Sequence, residues 1–149
     1  MCHQCNYTGL LKDSGLQPTP SRLLVLEVVG NNNSPLSAQE IFETLMRTRP
    51  INRVTVYRIL DLLVDNGLVN RLSGGGRSFV YGLAPNEKHP AHPHFYCRQC
   101  ERMECLHPQS LALDLEPMQR SFPGLIENVE IRVDGICKNC IRRNKKLEN

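Results

Sequence analysis

The sequence predicts an α+β fold in two units, and two observations carry this prediction. Three helical patterns are followed by two short strand patterns around a glycine-rich turn, which is the element order of a winged helix-turn-helix. In the later part of the chain, four of the seven cysteines form two Cys-x-x-Cys pairs. Such pairs are typical of a structural zinc site, here within a small α/β domain.

The first predicted helix begins at Thr19-Pro20, because proline is favoured at the first helical position. Leu23, Leu26 and Val29 recur at helical spacing. Gly30 and the asparagines that follow it are expected to end this helix. The second helix is predicted from Ser37–Glu40, a capping box in which serine and glutamate side chains bond each other's backbone N–H groups.

The third helix is predicted over residues 53–66, with Gly67 as its C-terminal stop. Its buried face is formed by Val56, Ile59, Leu60 and Leu63. Residues 69–72 and 78–83 are predicted strands, joined by a turn at Gly74–Gly76. The polar, proline-bearing segment that follows is interpreted as a linker. The predicted domains are therefore 1–84, a linker at 85–90, and 91–149.

The second unit is predicted to be short-stranded around the first cysteine pair. A helix is expected over residues 109–121, with Leu111, Leu115 and Met118 pointing inward. A strand is expected over 127–133, because Val129, Ile131 and Val133 alternate. The basic tail over 142–146 is expected to be frayed.

Cys97, Cys100, Cys137 and Cys140 are the predicted zinc ligands, since four thiolates in two such pairs suit a closed tetrahedral site. A redox pair and a disulfide framework are the alternatives. Two pairs in one short chain favour metal, and an odd number of cysteines without a leader-like start disfavours disulfides. Reduced cysteines predict the cytoplasm. No run approaches the roughly 18 apolar residues of a membrane span, so no membrane is expected.

The outward face of the third helix is a candidate DNA-reading surface. Its outward residues are Arg53, Tyr57, Arg58 and Asp61, and Thr55 lies near the helix start. Arginine, tyrosine and threonine side chains can contact base edges and phosphates in the major groove. Arg71 and Arg77 lie in the following hairpin, where a wing commonly contacts DNA. A solvated amphipathic face is the alternative, and the net charge of +3 decides nothing by itself.

The chain resembles the ferric uptake regulator family of bacterial metal-dependent repressors over nearly its whole length. The matching pieces are Gly15-Leu16 with Thr19 and Arg22; Ser37–Ile41; Thr55–Leu60; Asn66–Val69; Gly75–Tyr81; His92–Cys97 with Cys100; and Gly135–Cys137 with Cys140.

This resemblance implies a homodimer built by the C-terminal unit, and winged helices that bind palindromic AT-rich operators when metal is bound. It implies that the positions of Tyr57 and Arg58 contact DNA. It also implies that the four cysteines hold the structural zinc.

A second, sensory metal site is expected next to the linker. His92 and His94 are two apart on an extended segment, so their imidazoles can share one ion. The family's next ligand, usually acidic, falls on Cys105, and a thiolate favours zinc over iron or manganese. His89 or Glu104 is expected to complete the set. Cys105 as a small buried residue and His89 as linker surface are the alternatives.

Three positions depart from the ligand sets of the iron and peroxide branches: Pro35, Gly82 and Val129 stand where the family often has His, an acidic residue and His. Zinc is therefore the preferred regulatory metal, with iron, manganese, nickel or peroxide sensing as alternatives. Cys2, His3 and Cys5 are close enough to hold a metal, although an incidental chain start is favoured.

A repressor is preferred over two other classes of protein. A zinc hydrolase would need a general base, and the sequence has no His-Glu-x-x-His pattern. A zinc-ribbon adaptor that binds protein rather than DNA is the third interpretation.

Overall fold

The computed structural model describes residues 5–75 and 78–147, and it confirms the predicted α+β fold. Cys2, His3 and Arg77, which the sequence singles out, lie outside the described residues. The chain divides into two compact units on either side of the Ala91–His92 bond. Within the described ranges, no helix is long and apolar enough to cross a membrane.

The first unit begins with a helix that the sequence analysis missed, α1 (Tyr7–Asp13). Its N-cap is Asn6, whose side-chain oxygen accepts a hydrogen bond from the Gly9 amide at 3.0 Å. Leu11 anchors the helix in the hydrophobic core, where it is fully buried. A helix of two turns with a single buried residue is too short to show the apolar periodicity by which helices are predicted.

Helix α2 (Pro20–Asn31) begins where it was predicted, with the Thr19 hydroxyl accepting from the Arg22 amide. The helix ends among the predicted asparagines, with Asn32 as its C-cap, but Gly30 itself lies inside the helix. A side chain at Gly30 would meet Tyr7, since an added Cβ would lie 2.4 Å from the phenolic oxygen. Glycine here therefore allows α1 to approach α2 closely, rather than stopping the helix.

Helices α3 (Ala38–Met46) and α4 (Arg53–Asp65) confirm two sequence predictions. The capping box of α3 is formed, with Ser37 and Glu40 bonding each other's backbone amides at 3.1 and 2.8 Å. The predicted inner face of α4 is buried. Gly67 follows α4 with a φ of +70°, and the Leu68 amide bonds the Leu63 carbonyl, which is a Schellman ending.

A three-stranded antiparallel sheet completes the first unit. It contains β1 (Leu36–Ser37), β2 (Val69–Ser73) and β3 (Phe79–Leu83), in the order β1-β3-β2. The β2–β3 register pairs Val69 with Leu83. The helices and this sheet enclose one apolar core, whose members all lie in the first unit.

The second unit contains a mixed three-stranded sheet and two helices. Its strands are β4 (His94–Cys97), β5 (Met103–Cys105) and β6 (Arg132–Gly135), in the order β5-β4-β6. Strand β5 is antiparallel to β4, and β6 is parallel to it. The helices are α5 (Glu116–Ser121) and α6 (Lys138–Leu147).

Four predictions for the second unit are wrong. The helix predicted over 109–121 covers only α5, because Pro117 would block the interior of the longer helix and is accommodated in the first turn of the shorter one. Leu111 and Met118 are exposed rather than inward. The strand predicted over 127–133 begins only at Arg132, and the basic tail forms α6 instead of fraying.

Candidate metal centres and nucleic-acid surface

The four predicted zinc cysteines come together at one end of the second sheet. Cys97 ends β4, and the parallel register sets it beside Gly135 of β6. The chain then enters α6, which carries Cys140 in its first turn. The four sulfur atoms all lie within 4.8 Å of one another.

The sulfur spacing fits a tetrahedral zinc site. The Cys97–Cys140 and Cys100–Cys137 sulfur pairs are 3.9 and 3.8 Å apart. Four sulfurs bound tetrahedrally at ~2.3 Å from zinc would be separated by ~3.8 Å. The cluster therefore already has the dimensions of a closed structural site.

The environment of these thiols is polarised. Backbone hydrogen bonds from Cys100 and then Cys137 lower the pKa of the Cys97 thiol to about 6. Burial raises the pKa of the Cys140 thiol to about 11, although Arg143 opposes this by donating to its sulfur. Zinc coordination requires thiolates, so the backbone groups that donate to Cys97 and the guanidinium that donates to Cys140 favour the liganded form.

A second cluster combines two imidazoles and one thiol. The antiparallel register pairs His94 of β4 with Cys105 of β5. His92 precedes them, with its ring centroid 4.7 Å from that of His94 and its Nε2 buried. One ligand atom from each of His92, His94 and Cys105 lies within 4.8 Å of the others. These three residues are half-buried, and their donor set can hold a metal ion.

Two further candidates for this site are His89 and Glu104. His89 lies in the first unit, in a turn where its backbone and that of Asn86 exchange two hydrogen bonds of 2.9 and 3.1 Å. Glu104 is exposed and precedes Cys105 in β5, so its side chain leaves the opposite face of the strand. Within residues 5–75 and 78–147, the cluster around His94 contains no carboxylate.

The predicted DNA-reading residues of α4 differ in whether they contact other parts of the protein. Thr55, Tyr57 and Arg58 are exposed, and 41% of the Tyr57 surface is accessible. Arg53 instead contacts α3, donating to the side-chain oxygen of Gln39 and lying 4.6 Å above the Phe42 ring. Arg53 therefore braces α4 against α3 in this structure, whereas the other three residues point to solvent.

Arg71 connects the wing to α4. Its guanidinium is 2.7 Å from the Asp61 carboxylate and lies 5.5 and 5.8 Å from the centroids of Phe79 and Tyr81. The position of Arg71 in the hairpin predicted contact with DNA rather than this pairing with Asp61. Asp61 on the outward face of the predicted helix was the available signal.

The sequence profile of the ferric uptake regulator family matches residues 13–121. The chain belongs to this family. The ferric uptake regulation protein of Legionella pneumophila is 28% identical over 132 residues, which cover 87% of this chain and 95% of that protein. The peroxide operon regulator of Bacillus subtilis strain 168 is 25% identical over 135 residues, covering 89% and 90%.

A solved structure shows the same likeness. The ferric uptake regulator of Vibrio cholerae superposes with a TM-score of 0.67 at 27% identity, covering 89% of this chain and all of that one. Ferric uptake regulator family members are metal-responsive transcriptional regulators and not enzymes, which confirms the choice of a regulator over a hydrolase. They bind operator DNA and are dimers.

Family membership also bears on the two candidate metal sites. Members of the ferric uptake regulator family bind divalent metals, and the four-cysteine cluster fits a structural zinc site. The names of the two relatives described above refer to iron and to peroxide, so the likeness alone does not select a regulatory metal. That choice depends on the side chains of this chain.

Proposed function

We propose that this protein is a zinc-responsive transcriptional repressor that acts in the cytoplasm on metal-homeostasis genes. The single observation that supports zinc over other metals is the donor set of His92, His94 and Cys105. A soft thiolate with two imidazoles suits zinc, whereas iron(II) and manganese(II) sites usually include harder carboxylate oxygens. The pairing of Cys105 with His94 supports its role as a ligand.

The four cysteines have a separate, structural role in this proposal. Their sulfur spacing matches a closed site, and a closed site leaves no position for exchange or catalysis. Zinc would be held there permanently, while the ion at His92, His94 and Cys105 would exchange with the cell. His89 is proposed as a further ligand of the sensory ion.

The DNA-binding domain is proposed to span residues 1–84, with α4 as its recognition helix. Thr55 and Arg58 are three residues apart, so they share one face of α4, and Tyr57 lies beside them. We propose that these residues contact an AT-rich palindromic operator, together with Arg53 and Arg77. Because Arg53 contacts Gln39 and Phe42 of α3, we expect it to contribute to DNA binding by positioning α4.

Residues 91–149 are proposed to form the homodimer. Large apolar side chains of this unit are exposed in the single chain, and a second copy would cover them. The exposed set includes Leu113, Phe122, Leu125 and Val129. A dimer also matches a palindromic operator, because each winged helix would meet one half-site.

Metal is proposed to control the orientation of the DNA-binding domains. His92 and His94 directly follow the proposed linker over 85–90, so closing them on an ion would fix that linker. Without metal, few dimers would match both half-sites, and zinc would raise this competent fraction.

Metal selectivity tests this proposal. Zinc binds most protein sites more tightly than iron(II) or manganese(II), so tight zinc binding alone would carry no information. Operator affinity should be titrated with buffered zinc and with buffered manganese, in the wild type and in Cys105→Asp. The ratio of the two activating metal concentrations should move towards manganese in Cys105→Asp. An unchanged ratio would remove the thiolate as the basis of zinc selectivity.

A further inference from the structure

We propose that Arg143 is a charge-compensating residue of the four-cysteine site, and that it slows loss of the structural zinc. This inference rests on the proposal that these cysteines hold zinc. Arg143 Nη2 donates to the sulfur of Cys140 at 3.0 Å. A hydrogen bond from a cation to a thiolate is stronger than one between neutral groups.

The need for such a donor follows from burial. Four thiolates around one zinc dication leave a net negative charge on the cluster. Cys97 and Cys140 are fully buried, so water does not solvate their sulfurs, whereas Cys100 and Cys137 are half-buried. A buried anion without a partner is costly, and protein groups must therefore replace the missing water.

Each of the two fully buried sulfurs accepts a hydrogen bond from a nitrogen donor of the protein. The Cys137 amide donates to Cys97 at 3.3 Å, and the Arg143 guanidinium donates to Cys140. Cys140 also lies in the first turn of α6, where the helix dipole favours negative charge. Of these contributions, only the guanidinium supplies a full positive charge.

The fold holds Arg143 in position. It lies three residues after Cys140 on α6, which places both side chains on one face of the helix. The next residue, Asn144, exchanges two hydrogen bonds of 3.0 and 3.1 Å with the Gln99 side chain between Cys97 and Cys100. This amide pair fastens α6 to the first cysteine pair and so keeps the guanidinium against the cluster.

Removing the guanidinium should leave the buried Cys140 thiolate without its cation. The zinc-loaded cluster then loses stability relative to the metal-free, protonated thiols, and zinc should escape faster. Arg142 offers a matched control, because it is adjacent, exposed and on a different face of α6. Replacing either arginine by glutamine makes the same change in net charge.

The test measures zinc transfer from the full chain to an excess of a colour-forming chelator. Every protein should also carry Cys105→Ala, so that the sensory cluster does not contribute. Arg143→Gln should release zinc about 10-fold faster, which is the size of effect expected for a group that hydrogen-bonds a metal ligand. Arg142→Gln should match the parent, and Arg143→Lys should stay close to it because the charge is retained.

A spectrum of the cobalt-substituted proteins separates a charge effect from a loosened helix. Loss of a hydrogen bond raises the energy of the sulfur electrons, so Arg143→Gln should shift the thiolate-to-cobalt charge-transfer band to longer wavelength. Arg142→Gln should not shift it.

Equal release rates and equal bands in the two glutamine variants would overturn the role of Arg143 and leave the zinc site intact. Release from Arg143→Lys as fast as from Arg143→Gln would also overturn it. Absence of bound zinc from the Cys105→Ala parent would overturn both the site and this inference.

Discussion

At the scale of single residues, Cys105 is the side chain on which the proposed metal specificity depends. The resemblance to the ferric uptake regulator family leads one to expect a carboxylate at this position. The structure places a thiol there, paired across the sheet with His94. Burial raises the pKa of the Cys105 thiol, so the metal-free protein carries it protonated at neutral pH, and a bound metal must displace that proton.

The absorption spectrum of bound cobalt should show directly whether the Cys105 sulfur binds the metal. When cobalt is added to protein that retains structural zinc, a thiolate-to-cobalt charge-transfer band should appear for the wild type and be absent for Cys105→Ala. The four-cysteine band should be visible in both proteins after complete exchange with cobalt. Identical spectra at the sensory site would mean that Cys105 only packs between the strands.

Arg58 is available to DNA, because it is exposed on α4 near Thr55 and Tyr57. Arg58→Ala should weaken operator binding by roughly 1–3 kcal/mol with folding intact, as expected for a bidentate base contact. Arg120→Ala makes the same charge change in the second unit, where Arg120 pairs with Glu116 on the surface. Fluorescence anisotropy with labelled operator measures both, and equal losses would reduce Arg58 to a general charge effect.

At the scale of elements, the contact between α1 and α2 shows how glycine is used in this fold. An added Cβ at Gly30 would lie 2.4 to 2.8 Å from three atoms of the Tyr7 side chain, and Tyr7 also donates to Asn31 at 2.7 Å. A methyl group at position 30 must therefore displace the Tyr7 side chain.

Gly30→Ala should destabilise the protein by about 1–3 kcal/mol through this overlap. In a Tyr7→Ala background the same change should cost nothing, or stabilise by up to about 1 kcal/mol, because alanine favours helix more than glycine does. Urea unfolding of the four proteins measures the coupling. Additive effects would show that Tyr7 is not the obstacle.

Elements whose determinants are local were predictable from the sequence. The Thr19 cap, the capping box at Ser37, the buried face of α4 and the glycine after it depend on neighbouring residues, and the structure confirms them. The cysteine pairs were recognisable because zinc geometry constrains their spacing, and the histidine–cysteine cluster because of the resemblance.

Elements of the second unit were less predictable because their apolar faces do not pack within one chain. Leu111, Val129 and Val133 suggested buried faces by their spacing, but all are exposed in the single chain. Helix α6 is predominantly basic and has only Cys140 buried, so its position depends on the cysteine cluster rather than on a hydrophobic stripe. The contact of Arg143 with Cys140 could not be predicted either, because it becomes evident only once α6 is known to be helical.

At the scale of the whole molecule, the two units differ in what holds them together. The apolar core lies entirely in the first unit. In the second unit, the buried side chains of the described residues are few, and two of them belong to the four-cysteine cluster: Pro93, Tyr96, Cys97, Met103 and Cys140. Metal binding should therefore contribute a large share of the second unit's folding free energy.

Cys140→Ser should lose the structural zinc and unfold the second unit while leaving the first folded. Hydrogen exchange followed by mass spectrometry should show lost protection in β4 and β6 and retained protection in α4. Cys105→Ser is the matched control, since it removes a thiol outside the four-cysteine cluster and should keep both the zinc and the protection. Retained zinc and an unchanged exchange pattern in Cys140→Ser would contradict a structural role.

Control of operator binding by zinc at Cys105 is tested most directly by measuring operator affinity as a function of buffered free zinc, in the wild type and in Cys105→Ala. Both proteins should carry the structural zinc, confirmed by metal analysis before the titration. Wild-type affinity should rise steeply with free zinc, while Cys105→Ala should fold, dimerise and bind operator weakly at every zinc concentration. An undiminished zinc response in Cys105→Ala would contradict this expectation.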